Sequence, residues 1–171
     1  MKYRDFFVES MSDSYRYSGT FKTEVIDHDD EDTGETYKKE VLKPVQIIRF
    51  TSNDDTPYIW YARQDYRDNT LWTIAFGIFT GINARGENEL DIQLNNKNDA
   101  LRVLSTVIDI TNGFIDFDGD NYEVQRIMFE SKGNKRTALY LKRVLPRIRN
   151  FKVDSVNTIG DESTVILVRT N

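Results

Sequence analysis

The chain has no cysteine, one histidine and three prolines among its 171 residues. Without cysteine it forms no disulfide and no thiolate zinc site, and it lacks a cysteine nucleophile. With His28 as the single histidine, sites built from several histidines are excluded too. No apolar run approaches the roughly 20 residues that span a bilayer, and the start has no signal-peptide core. These absences fit a reducing cytoplasm and remove several classes of metal site and enzyme.

Aromatic residues, by contrast, are plentiful, with nine tyrosines and ten phenylalanines. A composition that is 39% hydrophobic is ordinary for a folded protein and argues against disorder. The chain shows no internal repeat, no low-complexity tract and no long linker. The length therefore predicts one domain over residues 1–171.

The stretch Asn98–Phe114 has the pattern of a central buried helix. Its apolar residues follow a period of 3.6, and the width of the stripe predicts cover on more than one side. We expect the helix to end near Gly113, because glycine readily ends a helical turn. Leu104 and Ile108 are expected to be almost fully buried. The stripe comprises Leu101, Leu104, Ile108 and Ile115, widened by Val103, Val107, Ile110 and Phe114.

The rest of the chain reads mainly as strands. Residues 1–13 predict a short amphipathic helix, with apolar contacts from Phe6, Phe7 and Met11. Pro44 is expected to separate two strands, and Pro146 to interrupt a second helix near its end. The predicted class is α+β: an antiparallel β-meander packed on the central buried helix, followed by a β-α-β-β unit. The predicted strands are 15–26, 36–41, 45–51, 58–63, 70–79, 89–94, 122–131, 151–156 and 164–170, and the second helix is 135–148.

Two acidic stretches were considered as cation sites. Asp27–Glu35 holds six carboxylates and His28, but it lacks the glycine and the terminal glutamate of an ordered calcium loop. A solvated hairpin tip is the favoured interpretation. Asp116, Asp118 and Asp120 alternate as in an EF-hand, yet the twelfth position from Asp116 is Ile127 rather than glutamate. A turn is predicted there, and no metal site.

No catalytic constellation or cofactor site is predicted. Ser105 and Thr106 lie close to Asp109, but hydroxyls that bond backbone carbonyls of a buried helix explain them better. Glycine-rich phosphate loops are absent. An aromatic cluster could stack bases, although its sequence neighbours are not basic enough, so packing within the sheet is favoured. That cluster is Tyr58, Trp60, Tyr61, Trp72, Phe76 and Phe79.

One stretch, Lys132–Lys152, is strongly basic. It holds eight lysines and arginines and no acid. Because the whole chain has a net charge of −5, the other 150 residues together carry a charge of −13. On a helix the basic residues form a stripe opposite Ala138, Leu141, Leu145 and Ile148. Such a stripe docks on nucleic acid or on an acidic protein, or else it pairs with carboxylates of its own chain. The candidate binding residues are Lys135, Arg136, Lys142, Arg143, Arg147 and Arg149.

The first ten residues, Met-Lys-Tyr-Arg-Asp-Phe-Phe-Val-Glu-Ser, resemble the amphipathic leader of proteins from large T-even-like and marine tailed bacteriophages. Such leaders target proteins into the capsid and are cleaved after a glutamate. The matching residue is Glu9, and Phe7 stands where that pattern prefers Ile or Leu. Residues 100–110, 127–131 and 136–140 are similar to small phage proteins of unassigned function.

The resemblance implies a non-enzymatic phage accessory protein that binds protein or nucleic acid in the host cytoplasm or the virion. The rival hypothesis is a GNAT-type acyltransferase that uses acyl-CoA. The order of strand 122–131, helix 135–148 and strand 151–156, with Tyr140, resembles the second half of that fold. The acyl-CoA pyrophosphate loop of the family, Gln/Arg-x-x-Gly-x-Gly/Ala before a helix, has no counterpart.

Overall fold

The structure is a computed structural model that describes residues 14–26, 41–65, 67–82, 88–91, 100–118 and 123–170. These residues form strands and helices of a mixed fold, which confirms the predicted α+β class. A π-helical turn, Tyr140–Val144, and a 3-10 turn, Leu145–Arg147, continue the second helix. The elements are β1 Tyr17–Ile26, β2 Val41–Thr51, β3 Pro57–Gln64, β4 Leu71–Ile82, β5 Asn88–Asp91, α1 Ala100–Asp118, β6 Arg126–Lys132, α2 Asn134–Leu139, β7 Phe151–Ile159 and β8 Glu162–Arg169.

All described strands belong to one sheet, in the order β1-β2-β3-β4-β6-β8-β7, with β5 beside β4. The first four strands are antiparallel neighbours. β4 and β6 run parallel, because the chain crosses between them through α1. β8 then lies between β6 and β7, which leaves β7 at the outer edge.

The main core lies on one face of this sheet. Alternate residues of β2, β3, β4, β6 and β8 point to that face, and α1 covers them. The ring of Phe114 lies 5.8 Å from that of Trp60 and 5.0 Å from that of Trp72. Leu104 and Ile108 are 3% and 7% exposed, as predicted. A sheet residue and a helix residue far apart in sequence thus share one apolar layer.

The aromatic cluster packs within the sheet, but it divides between the two faces. Four members are buried on the side of α1, namely Tyr58, Trp60, Trp72 and Phe76. Tyr61 and Phe79 lie on the other face, where they pack against buried Ile47 and Ile59. Because alternate residues of a strand face opposite sides, no continuous stacking surface results.

Two details of α1 correct the sequence prediction. The helix continues past Gly113 to Asp118, so Asp116 and Asp118 are helical rather than part of a turn. Burial of Phe114 and Ile115 holds this last part of the helix on the sheet. Leu101 is 67% exposed and does not belong to the buried stripe. It is the second residue of α1, in the first turn of the helix.

Proline positions explain two further differences. Pro44 does not separate two strands but lies within β2, paired with Thr23 of β1. Pairing of β2 with β3 starts only at Val45. The missing N–H of Pro44 therefore removes no backbone hydrogen bond to β3. Residues 1–13, the acidic tip 27–35 and residues 119–122 lie outside the described part of the chain. The predicted leader helix and hairpin tip are therefore expectations still.

The sequence predicts a second helix that Pro146 interrupts near its end, and the structure changes helical geometry earlier, at Tyr140. Pro146 cannot donate a hydrogen bond, and its ring excludes the carbonyl of Lys142 four residues earlier. The backbone N–H of Leu145 donates instead to the carbonyl of Tyr140, five residues back. This wider turn keeps Tyr140, Val144 and Leu145 all buried. Ala138, which the sequence predicts on the apolar side, is exposed in α2.

Candidate basic binding surface

Four cationic side chains project from the outer side of the second helical segment. Lys135 lies in the first turn of α2, Lys142 and Arg143 in the π-helical turn, and Arg147 at the end of the 3-10 turn. All four are exposed. They point outward because the opposite side, with Tyr140, Val144, Leu145 and Ile148, is buried in the core. We call Lys135, Lys142, Arg143 and Arg147 the basic surface.

The basic surface carries no ion pair with any carboxylate of the described residues. Lys142 and Arg143 are adjacent in sequence and Arg147 follows four residues later, so these three charges lie within about one screening length of one another and repel. Lys135 lies seven residues before Lys142, roughly 10 Å away along a helix, and is more strongly screened from them. An extended anion on the outer side of this helical segment would be attracted by all four.

The remaining predicted cations differ from these four. Arg149 lies in a turn after the helix and forms a 2.6 Å ion pair with Asp116 of α1. Arg136 is half-buried, and its charge acts against the rise in the pKa of Tyr140. Lys152 is exposed on β7. We therefore leave Arg149 and Arg136 out of the basic surface.

Asn112 of α1 holds the end of this helical segment. Its Nδ2 donates to the carbonyl of Arg147 at 3.1 Å, and its Oδ1 accepts the backbone N–H of Arg149 at 2.8 Å. Carbonyls at a helix end lack partners within the helix. The Asn112 amide satisfies one of them and fixes the position of Arg147, a member of the basic surface.

Thr106 and Asp109 of α1 make hydrogen bonds that connect the helix to the segment before β1. The Thr106 hydroxyl donates to the carbonyl of Arg102 at 2.9 Å and accepts the backbone N–H of Tyr15 at 2.9 Å. Asp109 accepts a hydrogen bond from the hydroxyl of Ser14. Desolvation, and then the charge of Asp109, raise the pKa of Tyr17. These contacts attach the segment before β1 to the helix.

A second feature, which the sequence pattern did not reveal, is the opening between β4 and β6. The two strands pair only from Leu71 to Ile74 of β4 and from Arg126 to Phe129 of β6. On the same edge of β4, pairing with β5 begins at Ile78, because β3 occupies the other edge there. The intervening residues Ala75–Gly77 have no strand on that side among the described residues.

Tyr140 lies against this opening. Its ring is 5.6 Å from that of Phe76, the middle residue of the unpaired stretch of β4. Its hydroxyl is buried and has no hydrogen-bond partner in the described residues. Burial raises the pKa of Tyr140 to about 12, and the charge of Arg136 opposes that rise. The opening lies where the parallel strands β4 and β6 stop pairing. Sequence periodicity does not distinguish parallel from antiparallel strands, so it could not predict this opening.

Metal-binding and membrane-spanning features are a separate question. Among the described residues, no group of three or more His, Asp or Glu side chains is placed to hold a metal ion. No described helix combines the length and the apolar character needed to cross a membrane. The basic surface and the β4–β6 opening are therefore the two candidates that remain.

Comparison with known proteins adds no assignment. No protein-family model matches the chain, and no curated protein matches it either.

Proposed function

We propose that this protein is a non-enzymatic bacteriophage accessory protein that binds an anionic partner through the basic surface. The observation that carries the proposal is the set of four exposed cations, Lys135, Lys142, Arg143 and Arg147, with no carboxylate partner in the described residues. Folding gains nothing from such a set, because like charges on neighbouring helical turns repel. A bound anion would relieve that repulsion.

The partner is nucleic acid or an acidic protein surface. Tyr140, the aromatic residue nearest in sequence to these cations, is buried, so it cannot stack on bases. Contact with nucleic acid would therefore involve phosphates, which give affinity without sequence readout. An acidic protein would be attracted by the same charges. The two partners differ in salt dependence, since release of condensed counterions makes nucleic-acid binding fall steeply with salt.

The test is the double variant Lys142→Glu/Arg143→Glu. Both side chains are exposed, so the melting temperature should change little while binding is lost. The matched control is Arg16→Glu/Arg49→Glu, which changes the charge equally at two other exposed positions. Binding is measured by fluorescence anisotropy with duplex DNA at two salt concentrations, and by pull-down from infected cells.

Loss of binding in the first variant but not in the control supports the proposal. Equal loss in both variants would mean that net charge alone matters. If wild-type protein retains neither DNA nor any protein of the infected cell, the basic surface is not a binding site.

The proposed location is the host cytoplasm or the virion. The leader-like residues 1–10 support this part of the proposal through their resemblance to capsid-targeting leaders. Mass spectrometry of purified virions tests it directly. A new N-terminus at Ser10 would indicate cleavage after Glu9, while absence of the protein from virions leaves the cytoplasm.

The alternative, a GNAT-like acyltransferase that uses acyl-CoA, is favoured by one observation. The parallel strands β4 and β6 separate after four paired residues, and Tyr140 lies at their opening. A buried hydroxyl there could hydrogen-bond a ligand. However, β5 already occupies the edge of β4 from Ile78 to Ile82, and the sequence has no pyrophosphate loop. Among the described strands, this leaves only the short stretch Ala75–Gly77 of β4 for an extended ligand.

Isothermal titration with acetyl-CoA separates the two hypotheses. We expect no heat of binding from wild-type protein. Binding that weakens in Tyr140→Phe, but not in the Lys142→Glu/Arg143→Glu variant, would favour the acyltransferase instead.

A further inference from the structure

β7 is the outermost strand on its side of the sheet. It pairs with β8 alone among the described strands, so its other edge presents backbone N–H and C=O groups without a neighbouring strand. Every residue from Lys152 to Ile159 is exposed, whereas β8 alternates between buried and half-buried residues. Neither α1 nor α2 extends over this strand.

The exposed side chains of β7 include three large aliphatic ones. Val153 is 42% exposed, Val156 44% and Ile159 76%. The second half of the strand, Ser155–Ile159, contains no charged residue and is rich in β-branched side chains, which favour strand pairing. Natural edge strands usually carry charges or bulges to prevent pairing. Here those devices, Lys152 and the bulge at Asp154, protect only the first half.

Charge is distributed unevenly along the β7–β8 hairpin. Its open end is basic, with Arg147 in the turn that packs against β7 and Lys152 in the strand itself. Its closed end carries Asp161 and Glu162, both exposed at the hairpin tip, and Glu162 lies opposite Lys132 of β6 in the sheet. Asp161 follows Lys152 by nine positions, which corresponds to about 30 Å of extended chain. Within one molecule the two ends are therefore too far apart to interact, since salt screens exposed charges that are more than about 8 Å apart.

We propose that two copies of this chain associate by antiparallel pairing of their β7 strands across a two-fold axis. Only an antiparallel arrangement places the basic open end of each copy beside the acidic tip of the other. With Val156 near the axis, Lys152 of one copy lies next to Gly160 and Asp161 of its mate. Ser155–Asn157 of the two copies then face each other, Ile159 of each copy faces Val153 of the other, and the sheet continues from one copy into the other.

This arrangement is closed, because the same edge is used on both copies. One strand per copy buries less than the roughly 1,200–2,000 Å² of a standard stable interface. We therefore expect a reversible, concentration-dependent dimer rather than a permanent one. The proposal does not use Lys142 and Arg143 of the basic surface, which lie on the helical segment and not on the free edge.

The first test is sedimentation equilibrium over a wide range of concentrations. Wild-type protein should dimerise, and Val156→Lys should raise the dissociation constant at least tenfold, because two lysines meet near the axis and each like-charge pair opposes strand pairing. The control Gln125→Lys adds the same charge at an exposed position outside the strand and should leave the dimer intact. A wild-type monomer at all concentrations, or growth beyond the dimer, would overturn the proposal.

The second test is a charge exchange. Lys152→Glu and Asp161→Lys should each weaken the dimer, because each places like charges side by side at both ends of the interface. The double variant Lys152→Glu/Asp161→Lys should recover the wild-type dissociation constant. Lys142→Glu/Arg143→Glu should leave dimerisation unchanged, which separates this proposal from the proposed function. If the double variant is as weak as the single ones, the antiparallel two-fold pairing is wrong.

Discussion

The side-chain amide of Asn112 bonds the backbone on both sides of Ile148: it donates to the carbonyl of Arg147 at 3.1 Å and accepts the N–H of Arg149 at 2.8 Å. Asn112 is 7% exposed, so neither backbone group has easy access to water there. One residue of α1 thus determines where the second helical segment ends and β7 begins. The nearby ion pair between Arg149 and Asp116 joins the same two parts of the chain.

Asn112→Ala should destabilise the protein by about 1–3 kcal/mol, the usual cost of leaving buried polar groups unsatisfied. The free energy of unfolding is measured with urea. Asn157→Ala, at an exposed position of β7, is the control and should stay within about 0.5 kcal/mol of wild type. An Asn112→Ala variant as stable as the control would mean that water replaces the amide at this joint.

The sequence could not have predicted this joint, although it predicted much around it. Periodicity located α1 to within a few residues, because a wide apolar stripe is a strong signal. It could not place the end of α1, since Gly113 is tolerated within a helix once Phe114 and Ile115 are buried. The sequence also gives no indication that Asn112 hydrogen-bonds the carbonyl of Arg147, 35 residues away.

The basic surface was partly predictable for the same reason. The cations between Lys132 and Lys152 are visible in the sequence, and the buried side of the helix follows from Leu145 and Ile148. Their exact arrangement depends on the π-helical turn, which shifts every later residue around the helix axis. Pro146 signals a break, but whether the break widens or ends the helix depends on tertiary packing of Tyr140 and Val144.

The two leucines at the start of α1 offer a matched comparison. Leu104 is 3% exposed and Leu101 is 67% exposed on the same helix. Leu104→Ala should cost about 2–5 kcal/mol, because it removes a core side chain and leaves a cavity. Leu101→Ala should change the free energy of unfolding by less than about 0.5 kcal/mol. Equal costs for the two substitutions, measured by urea unfolding, would contradict this description of α1.

Trp60 and Thr111 form a buried polar pair between β3 and α1. The indole Nε1–H donates to the Thr111 hydroxyl at 3.1 Å, and that hydroxyl donates to the carbonyl of Val107 at 2.8 Å. Thr111→Val keeps the shape but leaves the indole N–H without an acceptor. We expect a loss of about 1–3 kcal/mol. Thr111→Ser retains the hydroxyl and should be the milder change, so a reversed order would show that packing, not the hydrogen bond, matters here.

Tyr140 should make the stability of the protein depend on pH in the alkaline range. Burial raises the pKa of Tyr140 to about 12, whereas a tyrosine in the unfolded chain titrates near the ordinary pKa of 10.0. Below pH 10 the Tyr140 hydroxyl is protonated in both the folded and the unfolded protein, and its full contribution to stability is present. As the pH rises further, the unfolded state ionises first and is favoured, so stability is lost progressively up to the folded pKa.

Each unit of difference between the folded and unfolded pKa of Tyr140 corresponds to about 1.4 kcal/mol. The free energy of unfolding should therefore fall by on the order of 2–3 kcal/mol between pH 10 and 12. Tyr140→Phe removes this titration, and it also removes a buried hydroxyl that has no partner among the described residues. At pH 8 the variant should therefore be as stable as wild type or slightly more stable. Urea unfolding of both proteins from pH 8 to 12 isolates the effect, because all other titrating groups are shared. Parallel stability curves would show that Tyr140 is already accessible to solvent in the folded protein.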